Sequence, residues 1–223
     1  MKLEATTLKY LVLGFAAVSF LLAPAWLSFA QGPFQPPPPP KPFPFVSPLF
    51  GDDMVLQRGK PDVIWGWAEQ PGDKVTVEIG GSTATAVAQP DRRWEAKIKP
   101  PEAGGPYILK ITGRETVELH NVMVGDVWLC TGQSNMLVGL REAKNGEDDV
   151  KAANSPDVRF FSVFGHAAYN HTGWIAGTWK PVTAANAARV SAVAYYFARE
   201  VQNQIHVPIG LVVDAVGGTP AES

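Results

Sequence analysis

Between Phe50 and Val124, apolar and polar positions alternate with a period of two. Val75, Val77 and Ile79 alternate with Thr76 and Glu78, and Trp94, Ala96 and Ile98 with Glu95 and Lys97. Val117 and Leu119 alternate with Glu118 and His120, while Tyr107, Leu109 and Ile111 follow the rule less cleanly. Period two is the mark of half-buried strands. Pro71-Gly72-Asp73, Gly80-Gly81-Ser82, Pro90-Asp91 and Gly104-Gly105-Pro106 separate the runs and carry turn chemistry. No helical period occurs, so residues 49–124 are expected to form a small antiparallel β-sandwich domain. Trp65, Trp67 and Trp94 admit two readings. They form a surface on which sugar rings stack, or they fill the small core, and at least two of the three are assigned to the core.

The pattern changes after Gly125. Val127-Trp128-Leu129-Cys130 is a continuous apolar run, which suits a strand buried on both faces of a parallel sheet. Val190, Val193, Ala194, Phe197, Ala198, Val201 and Ile205 recur at spacings of three and four, which predicts a helix over Asn186–Gln204. Pro208 stops it, and Ile209–Val213 is a second buried-strand candidate leading into Gly217-Gly218-Thr219. Strand, loop, helix, strand and Gly-rich loop are the grammar of an α/β sheet with a site at the strand ends. Arg141–Thr178 is poorly patterned, with Phe160, Phe161, Val163, Trp174 and Trp179 as the expected buried residues.

The N-terminus has a different character. Lys2 and Lys9 precede an apolar run from Tyr10 to Leu22, and Ser28-Phe29-Ala30 places small residues ahead of Gln31. This order reads as a secretory signal over residues 1–30. The alternative is an uncleaved membrane anchor, against which Pro24, Ser19 and Ser28 argue. On either reading the remainder lies outside the cytoplasm: periplasmic, extracellular or at the cell surface. Ten of the 20 prolines fall between Pro24 and Pro48, five of them in the run Pro36–Pro40. Residues 31–48 are therefore expected to be an extended proline-rich spacer.

Composition narrows the chemistry. The 223 residues carry 19 Lys plus Arg against 21 Asp plus Glu, so there is no basic footprint for nucleic acid. One cysteine excludes an internal disulfide framework and, with four histidines, leaves no Cys-x-x-Cys zinc pattern. No cofactor or metal is implied. Ser134 directly follows the Val127–Cys130 strand, with Gly132 allowing a tight turn before it. A serine there exposes its hydroxyl and turns its own N–H toward the same space, as a nucleophile beside an oxyanion donor requires. The other reading of the same string is an ordinary helix cap.

The segment Gly125-Asp126-Val127-Trp128-Leu129-Cys130-Thr131-Gly132-Gln133-Ser134-Asn135-Met136 resembles the first block of the sialate O-acetylesterase family. That family is a branch of the SGNH (GDSL-like) carbohydrate esterases. Met54–Arg58, Trp65–Ala68 and Pro71–Val75 resemble the β-rich domain that precedes the catalytic domain in many members. Ser191–Glu200 resembles the family's helix, and Pro208–Leu211 with Gly217–Glu222 the strand and glycine block that follow. The likeness runs colinearly from about Phe45 to Ser223.

The resemblance implies an SGNH-type, flavodoxin-like α/β hydrolase domain over residues 125–223. It implies an acetylated carbohydrate as substrate and Ser134 as nucleophile. The N–H groups of Ser134 and of Gly217 or Gly218 would be oxyanion donors. Gln133 and Asn135 would support the loop, and Asp126 would be structural. A Gly-Gly pair after a strand also has the simpler reading of a turn. The family's Gln-Gly-Glu and Asp-x-x-His blocks are not found. His120 and His206 sit in strand and helix-end patterns, which leaves His166 and His171 as the only histidines placed to line a site. The chain is accordingly expected to be a fragment without its catalytic base and acid, with an unpaired apolar sheet edge after Val213. The reading from a different class is a non-catalytic carbohydrate-binding or interaction module.

Overall fold

The computed structural model describes residues 43–163 and 175–218. The leader, most of the proline-rich stretch, Trp174, His166 and His171 lie outside the described residues. The first strands are β1 (Val55–Gln57), β2 (Asp62–Trp67), β3 (Lys74–Ile79), β4 (Ser82–Val87), β5 (Arg93–Ile98), β6 (Gly104–Thr112) and the long β7 (Thr116–Gly132). Then come α1 (Ser134–Leu137), α2 (Gly146–Ala152), β8 (Asn154–Ser162), β9 (Trp179–Thr183), α3 (Ala192–Ile205) and β10 (Ile209–Ala215).

Alternation decides which side chains face inward. Val75, Val77 and Ile79 of β3 and Trp94, Ala96 and Ile98 of β5 are buried, while the residues between them are not. Gly80 and Gly81 close the β3–β4 hairpin with φ of 52° and 84°. A two-residue turn with positive φ at both positions matches the twist of the flanking strands, which suits glycine. Gly104-Gly105-Pro106, expected as a turn, instead opens β6. A Cβ at Gly105 would stand 2.8 Å from the Met123 sulfur and 2.9 Å from the Val122 carbonyl oxygen. Phe43–Pro48, assigned to the spacer by composition, packs on this β-rich region. Trp67 N–H donates to the Pro44 carbonyl, Ser47 N–H to Trp65, and the Trp94 indole to Phe45.

One large mixed sheet has the order β4-β3-β6-β7-β10-β8-β9, with β1 also paired to β7, and β2 and β5 form a separate antiparallel pair. Strand β7 joins the two parts. Its first half pairs with β6 antiparallel, and Asp126–Gly132 pairs with β10 parallel. The compositional change at Gly125 therefore falls inside an unbroken strand. A Cβ there would overlap the Pro208 carbonyl at 1.9 Å, so the close approach of β7 to the start of β10 requires glycine. Apolar packing divides at about the same place. One cluster is built mainly from residues 54–124 with Phe161 and Trp179, and the other from Leu140 to Val213.

Several expectations change. Val127–Cys130 is not buried on both faces, because Trp128 and Leu129 are 45% and 66% exposed. The sheet does not end after Val213 either. β10 lies between β7 and β8, and the second half of β7 has a neighbour on one side only among the described residues. The predicted helix also starts later, at Ala192. Asn186 is held by Thr183 N–H and the Pro181 carbonyl, Ala187–Arg189 forms a 3-10 turn, and the Ser191 hydroxyl caps α3 by accepting from Ala194 N–H. Ala194 and Ala198 of the expected stripe are buried, with Ala192 and Tyr195 beside them, whereas Val193, Phe197 and Ile205 are exposed, Phe197 edge-on to Trp128. Phe161, Trp179 and, of the three tryptophans, Trp94 and Trp67 are buried as expected.

Charged groups fasten the joint between the two parts. Asp126 accepts two hydrogen bonds from Arg58, both 2.9 Å, which hold its carboxyl below the usual carboxylate range. The buried Arg159 on β8 donates to Asn121 on β7 and to Pro156. Asp62 stands apart. One of its carboxylate oxygens is buried without a hydrogen-bond partner among the described residues, and burial pushes the carboxyl up to about 6. A carboxyl raised on folding favours the fold when protonated, and that contribution is lost as pH rises through about 6. From this group the melting temperature is expected to fall between about pH 4 and pH 6 and to level off above, with Asp62→Asn removing part of the fall. Partial solvent exposure limits the effect to about 1 kcal/mol. Identical slopes for both proteins in a pH series of thermal melts would refute it.

Candidate active site

Ser134 sits where the sequence places it, just past the carboxyl end of β7. Gly132 has φ of 149°, a conformation open to glycine, and the chain turns there into the short α1. Gln133 precedes the helix with extended backbone, and Ser134 is exposed. As the first helical residue, its N–H has no carbonyl to pair with inside the helix. Asn135 is also exposed, and its side chain makes no hydrogen bond among the described residues.

The parallel pairing of β10 with β7 brings the glycine block to the same place. Ala215 stands opposite Gly132, and Val216 N–H donates to the Gly132 carbonyl at 3.2 Å. Gly217 follows at once. A Cβ added at Gly217 would lie 3.7 Å from the Ser134 Cβ, so the glycine backbone stands close beside Ser134 with room for no more than about a methyl group between them. Gly218 has φ of 78° with open space around it. Neither Gly217 nor Gly218 N–H makes a hydrogen bond among the described residues. One hydroxyl and a set of uncommitted main-chain donors thus share one end of the sheet.

Helix α3 steadies this loop, a contact that sequence reasoning missed. The Ser191 hydroxyl lies 3.5 Å from the Met136 sulfur, Ala192 N–H donates to Val138, and Leu140 N–H donates to Val190. The visible signal was a serine at the start of an apolar helical stripe, which marks a cap. Nothing local in sequence tied that cap to residue 136.

Neither described histidine reaches Ser134. His120 is on β7, and fourteen residues of strand at ~3.3 Å each place it roughly 45 Å back along the chain. His206 ends α3 at φ of 54°, whereas the Ser134 loop packs at the other end of that helix, about 20 Å away. No group of three or more His, Cys, Asp or Glu among the described residues could hold a metal ion. Cys130 is a half-buried free thiol whose pKa is raised by burial, which suppresses the reactive thiolate.

No protein-family model matches the chain. The sialate O-acetylesterase of Rattus norvegicus is 34% identical over 192 residues, covering 76% of this chain. That of Homo sapiens is 32% identical over 204 residues, covering 81%. Over most of its length the chain is similar to these sialate O-acetylesterases. It spans 35% and 38% of the length of those two relatives. The crystal structure of a carbohydrate acetylesterase from Xanthomonas citri superposes with a TM-score of 0.76 at 37% identity, covering 79% of this chain and 41% of that one. The likeness to family members therefore covers most of this chain and only a minority of each whole protein.

Proposed function

We propose that the whole protein is an exported carbohydrate O-acetylesterase with Ser134 as its nucleophile. In this reading residues 49–124 are an N-terminal β-sandwich, and residues 125–223 are the first part of an SGNH-type hydrolase domain. The observation that carries the proposal is the proximity of Ser134 and Gly217 at the carboxyl ends of paired parallel strands. The relatives are named sialate O-acetylesterase, and the structural neighbour is a carbohydrate acetylesterase, which supports an acetylated sugar as substrate.

The chemistry follows from the groups present. The Ser134 Oγ attacks the acetyl carbonyl carbon as its proton passes to a base. Ser134 N–H and the Gly217 or Gly218 N–H receive the negative charge that develops on the carbonyl oxygen. The sugar hydroxyl leaves with the proton, and water then releases acetate from the acyl-serine by the same steps. A base held by a third group is required. Among the described residues no histidine stands near Ser134 to serve as that base.

The second reading is a binding module without turnover. It is favoured by the absence of a histidine near Ser134 among the described residues. The test is acetate release from acetylated oligosaccharides by the full-length protein recovered after export, with its new N-terminus at Gln31. Acetate release supports the esterase. Retention of the oligosaccharide with no acetate formed contradicts it. An intact Met1 on membrane-bound protein contradicts export with cleavage.

A further inference from the structure

The β-rich region contains a second cleft that the Ser134 chemistry does not use. Its volume is about 410 Å³, within the ~300–1,000 Å³ usual for small-molecule sites. Its apolar wall is Phe43 stacked on Trp67, with centroids 4.5 Å apart and planes within 18°. Trp67 is buried and Phe43 is 42% exposed, so the outermost ring of the stack faces solvent. Much of the remaining lining is charged. Arg114 is fixed by Asp73 at 3.0 Å and by Glu69 at 3.2 Å. Arg92 and Glu115 line the same cleft, and neither side chain has a partner among the described residues.

Arg92 adds a backbone observation. Its φ is 69°, uncommon for a residue with a Cβ. The conformation is held from both sides, because Arg92 N–H donates to Gln89 and Ala68 N–H donates to the Arg92 carbonyl, each at 2.8 Å. Glycine would be easier at this position, and the turn instead presents a guanidinium to the cleft.

We propose that this cleft is a saccharide-binding subsite for a neutral pyranose chain, separate from the Ser134 site. The apolar face of a pyranose stacks on an aromatic ring, and its hydroxyls need both donors and acceptors around their edge. Phe43 provides the first, and Arg92 and Glu115 the second. Three carboxylates, those of Glu69, Asp73 and Glu115, face two guanidinium groups, so the lining carries no positive excess for an acidic sugar. Glu115 immediately precedes β7, and Ser134 lies just beyond its far end, so the 17 residues of that strand separate them along the chain. A ligand here anchors a polymer and does not touch the acetyl group under attack.

The experiment is binding calorimetry of the full-length protein with cellohexaose, xylohexaose and mannohexaose, with oligogalacturonate as the acidic comparison. Ser134→Ala is included so that binding is read independently of turnover. At least one neutral oligosaccharide is expected to bind. Phe43→Ala weakens that binding at least tenfold and Arg92→Ala three- to tenfold, while Ser134→Ala leaves it unchanged. p-Nitrophenyl acetate hydrolysis is unaffected by Phe43→Ala and Arg92→Ala, both on the surface and remote from the serine. Binding of none of the neutral sugars, binding of oligogalacturonate alone, or equal affinity in Phe43→Ala would each overturn the proposal.

Discussion

Ser134→Ala in the full-length protein is expected to lower acetyl ester hydrolysis by about 10⁴-fold or more, the scale seen when a serine hydrolase loses its nucleophile. The side chain is exposed and sits at a turn set by Gly132, so removing one oxygen leaves the packing untouched. The far-ultraviolet circular dichroism and the melting temperature should therefore match those of the parent. The small remaining rate comes from main-chain donors, since the alanine keeps the N–H at 134 and Gly217 and Gly218 keep theirs. Unchanged turnover in this variant would remove Ser134 from the mechanism.

Trp94→Ala carries the largest expected effect on stability. Trp94 is fully buried on β5, its ring lies 5.7 Å from that of Phe45, and its indole N–H donates to the Phe45 carbonyl at 2.9 Å. Truncation leaves a cavity and a partly buried carbonyl without its donor, at a cost of about 3–5 kcal/mol. In a chain of this size that lowers the melting temperature by roughly 10 °C or more. Trp94→Phe keeps most of the volume and loses the hydrogen bond, so it should fall between the two. A melting temperature for Trp94→Ala within a few degrees of the parent would mean that the β-rich core does not depend on this contact.

The β-rich core was legible because one face of each strand is buried. Val75, Val77 and Ile79, then Trp94, Ala96 and Ile98, alternate inward as their sequence does. Strand β7 was legible only in pieces. Gly125 and Asp126 interrupt its apolar pattern, although the backbone runs straight through them. Trp128 and Leu129 read as buried because an apolar run does not reveal how many layers cover it. The helix was found from its period, but Asn186–Val190 shares that period while forming a turn and a cap approach.

Ser134 and the Gly217-Gly218 pair were singled out from local sequence and from resemblance. Their proximity depends on the register of β10 against β7, which joins residues more than eighty positions apart and has no local signal. Phe43 was missed for the opposite reason. A proline-rich composition assigned it to a spacer, whereas its stacking on Trp67 makes it a wall of a cleft.

The central claim is that Ser134 carries the acetyl group between sugar and water. Rapid acid quench of the full-length protein during turnover of an acetylated oligosaccharide, followed by peptide mass spectrometry, reads this directly. The account predicts one added acetyl group on the peptide containing Ser134, absent from the Ser134→Ala variant. Turnover with no acetylated peptide, or with the acetyl group on another residue, would contradict it.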